Sequence, residues 1–171
     1  MMIKKINKSP ILKYGIVIII LLIFYFLLLS YYDKHTNFAL SFINSIIIGF
    51  GIYKAINALK IDKGNRYSTS DGFKVGIFTG CFATTVHAIF FSIYIYKVDV
   101  KFATKFLNVS FKPVSLDTQY DVFRAEFLEL ITSFIDFEMP GIVSLLGLLI
   151  VVIFGCSTSI ILTYIFVNYL D

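Results

Sequence analysis

The chain has 171 residues, of which 58% are hydrophobic and 15% are charged, whereas soluble domains average about 45–50% apolar and about 25% charged residues. So short a chain has too little interior to bury that much apolar surface, and the composition therefore excludes an ordinary soluble fold. The net charge of +4 is attributed to lysines that flank membrane spans rather than to nucleic-acid binding. An integral membrane protein is predicted.

The first predicted span covers residues 14–31 and contains no charged side chain. A helix of this length and polarity crosses the hydrocarbon core of a bilayer, which is about 30 Å thick. The apolar run is longer than the core of a typical signal peptide, and no A-x-A-like cleavage site follows it. We therefore expect an uncleaved signal anchor.

The second predicted span, residues 38–59, is the most polar, because it contains Asn44, Lys54 and Asn57. A hydrophilic hinge follows over residues 60–66, where the Gly-Asn pair predicts a turn.

The third predicted span covers residues 73–96, and either Ser70 or Asp71 is expected to cap its N-terminus. The fourth covers residues 142–170 and is longer than a bilayer requires, so we expect it to tilt or to protrude. Together the spans predict a single all-α domain, residues 1–171, folded as a membrane four-helix bundle.

The largest segment outside the predicted spans is the loop of residues 97–141. Its first half places Val98, Phe102 and Phe106 at helical spacing beside three lysines. Both halves have the pattern of amphipathic helices that lie on a membrane or on a protein. The second half carries a stripe of apolar residues: Tyr120, Phe123, Phe127, Leu130, Ile131 and Phe134.

The lysine and arginine distribution predicts the orientation of the bundle. Positive side chains concentrate before the first span and around the second connection, and such segments stay in the cytoplasm. Both termini are therefore expected in the cytoplasm, and the 97–141 loop on the other side of the membrane.

Small residues recur at every fourth position of the third span, and a similar set lies in the fourth. Such stripes allow helix backbones to approach closely in a lipid environment. They predict packing surfaces rather than a pore lining: Gly72, Gly76, Gly80, Thr84 and Ala88 in the third span, and Gly155, Ser159 and Thr163 in the fourth.

Chemistry-bearing residues are few. His87 and Asn44 form the candidate polar site inside the membrane, since ionisable and polar groups there are costly. Gly155-Cys156-Ser157-Thr158 faintly resembles the serine motif of intramembrane proteases, with His87 as the base, but the order along the chain is reversed. We expect no catalytic residue, no metal site and no cofactor, because neither the number nor the spacing of ligands suits one.

Residues 65–76, Asn-Arg-Tyr-Ser-Thr-Ser-Asp-Gly-Phe-Lys-Val-Gly, resemble a signature of an uncharacterised bacterial membrane family, domain of unknown function forty-one ninety-nine, which is frequent in the Bacteroidota. The layout of four spans, a basic hinge and an amphipathic stretch is also similar, although the Asn-Pro expected after the third span is missing. The resemblance implies an inner-membrane location and no activity, cofactor or functional residue.

Three functions remain open from the sequence. The first is a non-catalytic accessory or interaction subunit of a membrane complex, in which the second loop helix contacts a membrane or periplasmic partner or its own bundle. The second is a small transporter or channel component that uses Asn44, Asn57, Thr84 and His87. The third is an intramembrane enzyme centred on His87.

Overall fold

The computed structural model describes residues 8–35, 37–99 and 140–170, which form four long α-helices and one short 3-10 helix. Helix α1 is Lys8–Tyr31, α2 is Phe38–Lys63, and the 3-10 helix is Gly64–Arg66. Helix α3 is Thr69–Lys97, and α4 is Pro140–Leu170. With 31 residues, α4 is about 46 Å long at 1.5 Å per residue.

Helix α2 extends beyond its predicted end at residue 59, into the hydrophilic hinge as far as Lys63. Lys60 and Lys63 lie in the last turn, where positive charge stabilises the negative end of the helix dipole. Gly64 then ends the helix with φ 49°, and its N–H donates to the Lys60 carbonyl. Glycine suits this position because it has no Cβ and adopts a positive φ without strain.

The predicted cap of α3 is wrong, because the helix begins at Thr69 with Ser68 as its N-cap residue. Asp71 lies in the first turn instead, where a carboxylate is favoured by the positive end of the helix dipole. Its Oδ2 accepts a hydrogen bond of 2.6 Å from Lys63 Nζ. The negative charge that stabilises the N-terminus of α3 therefore comes from Asp71 in the first turn and not from the N-cap residue Ser68.

Close contacts define the direction of each helix. Gly51 of α2 faces Ile18 of α1, and Tyr25 Oη donates to the Leu40 carbonyl, so these two helices are antiparallel. Gly72 of α3 meets Ile56 of α2 and Gly80 meets Ile52, so these two helices are antiparallel as well. The chain therefore alternates direction at each connection.

Helix α3 is the central element, since it packs against α1, α2 and α4, and its interface with α4 is the most extensive. A cluster of buried apolar residues joins the helices: Ile18, Leu22, Ile48, Ile52, Ile56, Ala83 and Val167.

Large apolar side chains cover the outer faces of the bundle. Phe24 is 64% exposed, Ile46 69% and Phe154 68%, which is the pattern of a surface solvated by lipid rather than by water. All four helices are long and apolar enough to cross a membrane. The predicted all-α membrane four-helix bundle is confirmed.

Candidate functional site

The interface between α3 and α4 is made of small residues that meet in an antiparallel register. Gly76 faces Thr163, Gly80 faces Ser159, and Thr84 faces Gly155. Each step of four residues forward along α3 is matched by a step of four residues back along α4. At every level one partner is a glycine, which has no side chain to separate the helices.

The glycines of this interface leave no room for a methyl group. A Cβ added at Gly76 would lie 2.6 Å from Thr163 Cγ2, and one added at Gly155 would lie 2.6 Å from Thr84 Cβ. Neither atom can be displaced easily, because both belong to short side chains branched at Cβ. The backbones therefore set the distance between the two helices.

A polar clasp continues the same interface towards one end of the bundle. Ser92 Oγ and Ser144 Oγ are 2.7 Å apart. Ser92 Oγ also lies 3.1 Å from the Ser144 carbonyl oxygen, and Ser144 Oγ lies 3.2 Å from that of Ser92. Since both serines are buried, these hydrogen bonds join α3 to α4 inside the bundle.

One member of the predicted small-residue stripe has other surroundings. Gly72 lies against Tyr67 and Ile56 rather than α4, because α3 meets the hinge and α2 at that level. Ala88 is fully buried. The structure brings Gly76, Gly80, Thr84, Gly155, Ser159 and Thr163 together.

A buried hydrogen bond between His35 and Asp99 lies at what we call the loop end, the end that carries residues 32–35, Asn37, Asp99 and Pro140. His35 Nε2 is 2.7 Å from Asp99 Oδ2, and the two residues are each 9% exposed. The contact joins the α1–α2 connection to the chain just after α3. Sequence patterns did not indicate this pair, although alternation of the spans predicts that both residues lie at one end.

An aromatic cluster lies next to the His35–Asp99 hydrogen bond and is centred on Phe26 of α1. The Phe26 ring makes edge contacts with two histidines, His35 at 5.9 Å and His87 at 6.3 Å between centroids. It contacts Phe90, Phe91 and Tyr94 in the same way. Edge-to-face contacts of this kind favour one ring arrangement, so the cluster helps to position His35.

The predicted polar site within the membrane is only partly assembled. His87 is 6% exposed and its Nδ1 has no hydrogen-bond partner among the described residues. The same holds for Oδ1 of the half-buried Asn44. Ile52 of α2 meets Gly80 of α3. Asn44 lies about two turns before Ile52 and His87 about two turns after Gly80. Since the two helices are antiparallel, Asn44 and His87 lie at the same depth in the bundle.

The residues of the faint protease motif are not arranged around His87. Ser157 lies on the exposed side of α4, and the register of the α3–α4 interface places it level with Phe82. Cys156 Sγ is instead 3.9 Å from Thr84 Oγ1. In residues 8–35, 37–99 and 140–170, no three histidine, cysteine or acidic side chains converge as a metal site would require.

The opposite end of the bundle, the hinge end, is held by lysines. Lys63 pairs with the buried Asp71, and Lys60 Nζ donates to the Leu170 carbonyl. Lys60 Nζ also lies 5.7 Å from the centroid of the Tyr67 ring. These contacts tie the end of α2 to the start of α3 and to the end of α4.

The predicted partner-contact residues of the loop, residues 120–134, lie outside the residues that the structure describes. Their role stays a prediction.

The fold defines the class of protein: the chain is an all-α multi-pass membrane protein. The family model described as "Protein of unknown function (DUF4199)" matches residues 13–168. The chain therefore belongs to this family, which confirms the resemblance seen at residues 65–76. Searches of curated proteins and of solved structures gave no match.

Proposed function

We propose that this protein is a non-catalytic accessory subunit of a membrane complex, which holds the segment of residues 100–139 at the loop end for contact with a partner. The partner that we favour is another membrane protein or a periplasmic protein. The bundle acts as the rigid support of that segment.

One observation carries this proposal: the described chain is anchored on both sides of the segment. Asp99, immediately before it, pairs with His35 at 2.7 Å. Ser144, shortly after it, exchanges hydrogen bonds with Ser92. A connector that only joined two spans would not need two buried polar anchors, because buried polar groups are costly unless they are paired.

The sequence of the segment supports the same proposal. At regular helical spacing Tyr120, Phe123, Phe127 and Phe134 would share one face, and the other faces would be mainly acidic. Anionic headgroups would repel those acids, so a protein surface suits this helix better than a membrane does.

We place the protein in the inner membrane of a bacterium, with both termini in the cytoplasm and the loop in the periplasm. The lysines around residues 60–74 support this orientation. Alkaline phosphatase fused after Pro113 is expected to be active, and the same enzyme fused after Arg66 inactive. The reverse result contradicts the orientation.

The partner contact is tested by introducing a photo-crosslinking amino acid at Phe127 and, in a separate variant, at Ala125. Regular helical spacing places these two positions on opposite faces. A partner on the aromatic face predicts a discrete crosslinked product from Phe127 and none from Ala125. Equal products from both positions, or none from either, contradict the proposal.

Phe127→Asp distinguishes a partner from the protein's own bundle. A partner site predicts normal insertion and an unchanged melting temperature, with loss of the crosslinked species seen with a probe at Phe123. A lowered melting temperature, with Ala125→Asp leaving it unchanged, indicates that the helix packs on its own bundle.

A small transporter component is the second candidate, favoured by two buried atoms, His87 Nδ1 and Asn44 Oδ1, that have no hydrogen-bond partner within the described part of the chain. A water-filled path predicts that His87→Cys, in a chain with Cys81 and Cys156 replaced by serine, reacts with a membrane-impermeant thiol reagent. Cysteine at the buried Ala83 is the control. An unreactive His87→Cys contradicts this candidate.

A further inference from the structure

A shallow groove runs between α1 and α2 on the outer surface of the bundle. It has a volume of about 180 Å³, compared with the cavity of about 150 Å³ that holds a benzene molecule in an engineered apolar core. Its lining residues are apolar or aromatic except for the charged Lys54: Tyr14, Val17, Ile18, Leu21, Ile47, Phe50, Gly51 and Lys54.

Gly51 and Ile18 form the buried floor of the groove. The missing side chain of Gly51 lets Ile18 of α1 reach the backbone of α2, and both residues line the groove. Val17, Leu21 and Phe50 are exposed around them. In a bilayer this surface faces hydrocarbon chains, so the groove is open to lipid.

Lys54 is the unusual member of this surface. It lies about 14 Å from the end of α2 at Lys63, at about 1.5 Å per residue, and its side chain is exposed. Its Nζ is 5.3 Å from the centroid of the Phe50 ring, one turn further from the hinge end. Lys54 belongs neither to the Lys63–Asp71 salt bridge nor to the His35–Asp99 contact.

A second cation lies beside the same groove. Lys13 Nζ is 5.6 Å from the centroid of the Tyr14 ring, and Tyr14 lines the groove. The antiparallel register in which Ile18 meets Gly51 places Lys13 and Lys54 within about one turn of each other along the bundle. An apolar groove therefore has positive charge at its hinge-end margin.

We propose that this groove binds an anionic phospholipid, with an acyl chain along the exposed Val17, Leu21 and Phe50 and the phosphate of the headgroup near Lys54 and Lys13. Charge complementarity selects this occupant, because basic side chains between spans favour anionic headgroups over zwitterionic ones. A lysine at membrane depth is costly without a counter-charge, and the phosphate supplies one.

The test titrates dioleoyl phosphatidylglycerol, or dioleoyl phosphatidylcholine, into the purified full-length chain in neutral detergent, and counts bound lipid by native mass spectrometry. We expect the wild-type chain to bind phosphatidylglycerol more tightly. Lys54→Gln should weaken that binding about fivefold. Lys74→Gln, which removes an exposed lysine of α3 outside the groove, should leave it unchanged.

A second pair of variants tests the groove itself. Val17→Phe fills it with a larger side chain and should weaken phosphatidylglycerol binding, whereas Ile153→Phe adds the same ring to the exposed side of α4 and should not. Leu21→Phe replaces Val17→Phe should that variant fail to fold, as judged by its melting temperature.

Three results would overturn the proposal. Equal affinity for the two lipids would show that the groove takes hydrocarbon without regard to charge. Equal loss in Lys54→Gln and Lys74→Gln would indicate diffuse attraction to the basic surface. Unchanged binding in the groove-filling variant would place the lipid elsewhere.

Discussion

The α3–α4 and α1–α2 interfaces solve the same packing problem in different ways. Between α3 and α4, glycines face serines and threonines and the backbones come close along much of their length. Between α1 and α2, a single glycine receives the Ile18 side chain, and a groove of about 180 Å³ remains beside it. Helices in lipid associate through close packing rather than through the hydrophobic effect. The closely packed α3–α4 interface, which we call the joint, therefore contributes more to stability than the loosely packed α1–α2 interface.

The largest expected effect comes from overpacking the joint. Gly80→Leu would push a side chain into Ser159 and Ile52, so α3 must separate from both α4 and α2. We expect a loss of about 3 kcal/mol in the free energy of unfolding, the upper part of the usual range for overpacked cores. Thermal unfolding in detergent measures it. A variant as stable as the wild type would show that the joint does not stabilise the bundle.

A matched pair of alanine substitutions compares the two interfaces directly. At Gly80 the new Cβ meets side chains of two helices, Ser159 of α4 and Ile52 of α2, whereas at Gly51 it meets one side chain, Ile18 of α1. Ile18 is buried and branched at Cβ, so it gives way only if α1 moves away from α2. We expect Gly80→Ala to cost about 1–2 kcal/mol and Gly51→Ala to cost less, because alanine gains the same helix propensity, about 1 kcal/mol, at both sites, whereas only the methyl group at Gly80 must separate two pairs of helices.

Rescue makes this comparison sharper. Ser159→Gly removes the atoms that the new methyl group meets at Gly80, so the Gly80→Ala/Ser159→Gly chain should recover part of the lost stability. Equal costs at Gly51 and Gly80, or no recovery in the double variant, would mean that the two interfaces do not differ in the way described. Coupling between the sites is read from the double-mutant cycle.

The smallest expected effect comes from the polar clasp of the joint. Ser92→Ala and Ser144→Ala each remove hydrogen bonds between α3 and α4, and hydrogen bonds between helices in membranes average about 0.6 kcal/mol. The double variant should cost less than the sum of the two single ones, since the bond between the two Oγ atoms is lost in either single variant. Additive costs would show that the serines act separately.

The sequence predicted the framework of the molecule because its causes are local. Uninterrupted apolar runs of sufficient length identify four spans, and the repeat of small residues every fourth position identifies the face of α3 that meets α4. The ends of helices were less predictable. The lysines of residues 60–63 were interpreted as a hinge but continue α2, because positive charge in a last turn stabilises a helix.

Tertiary structure alone decided which distant residues meet. No local pattern indicates that His35 pairs with Asp99, that Phe26 gathers five rings, or that Lys54 borders a groove. These contacts depend on the rotation of each helix about its axis and on the register between helices, which the sum of all packing contacts sets at once. Hydropathy determines that a segment crosses the membrane, whereas close packing determines which of its faces meets which neighbour.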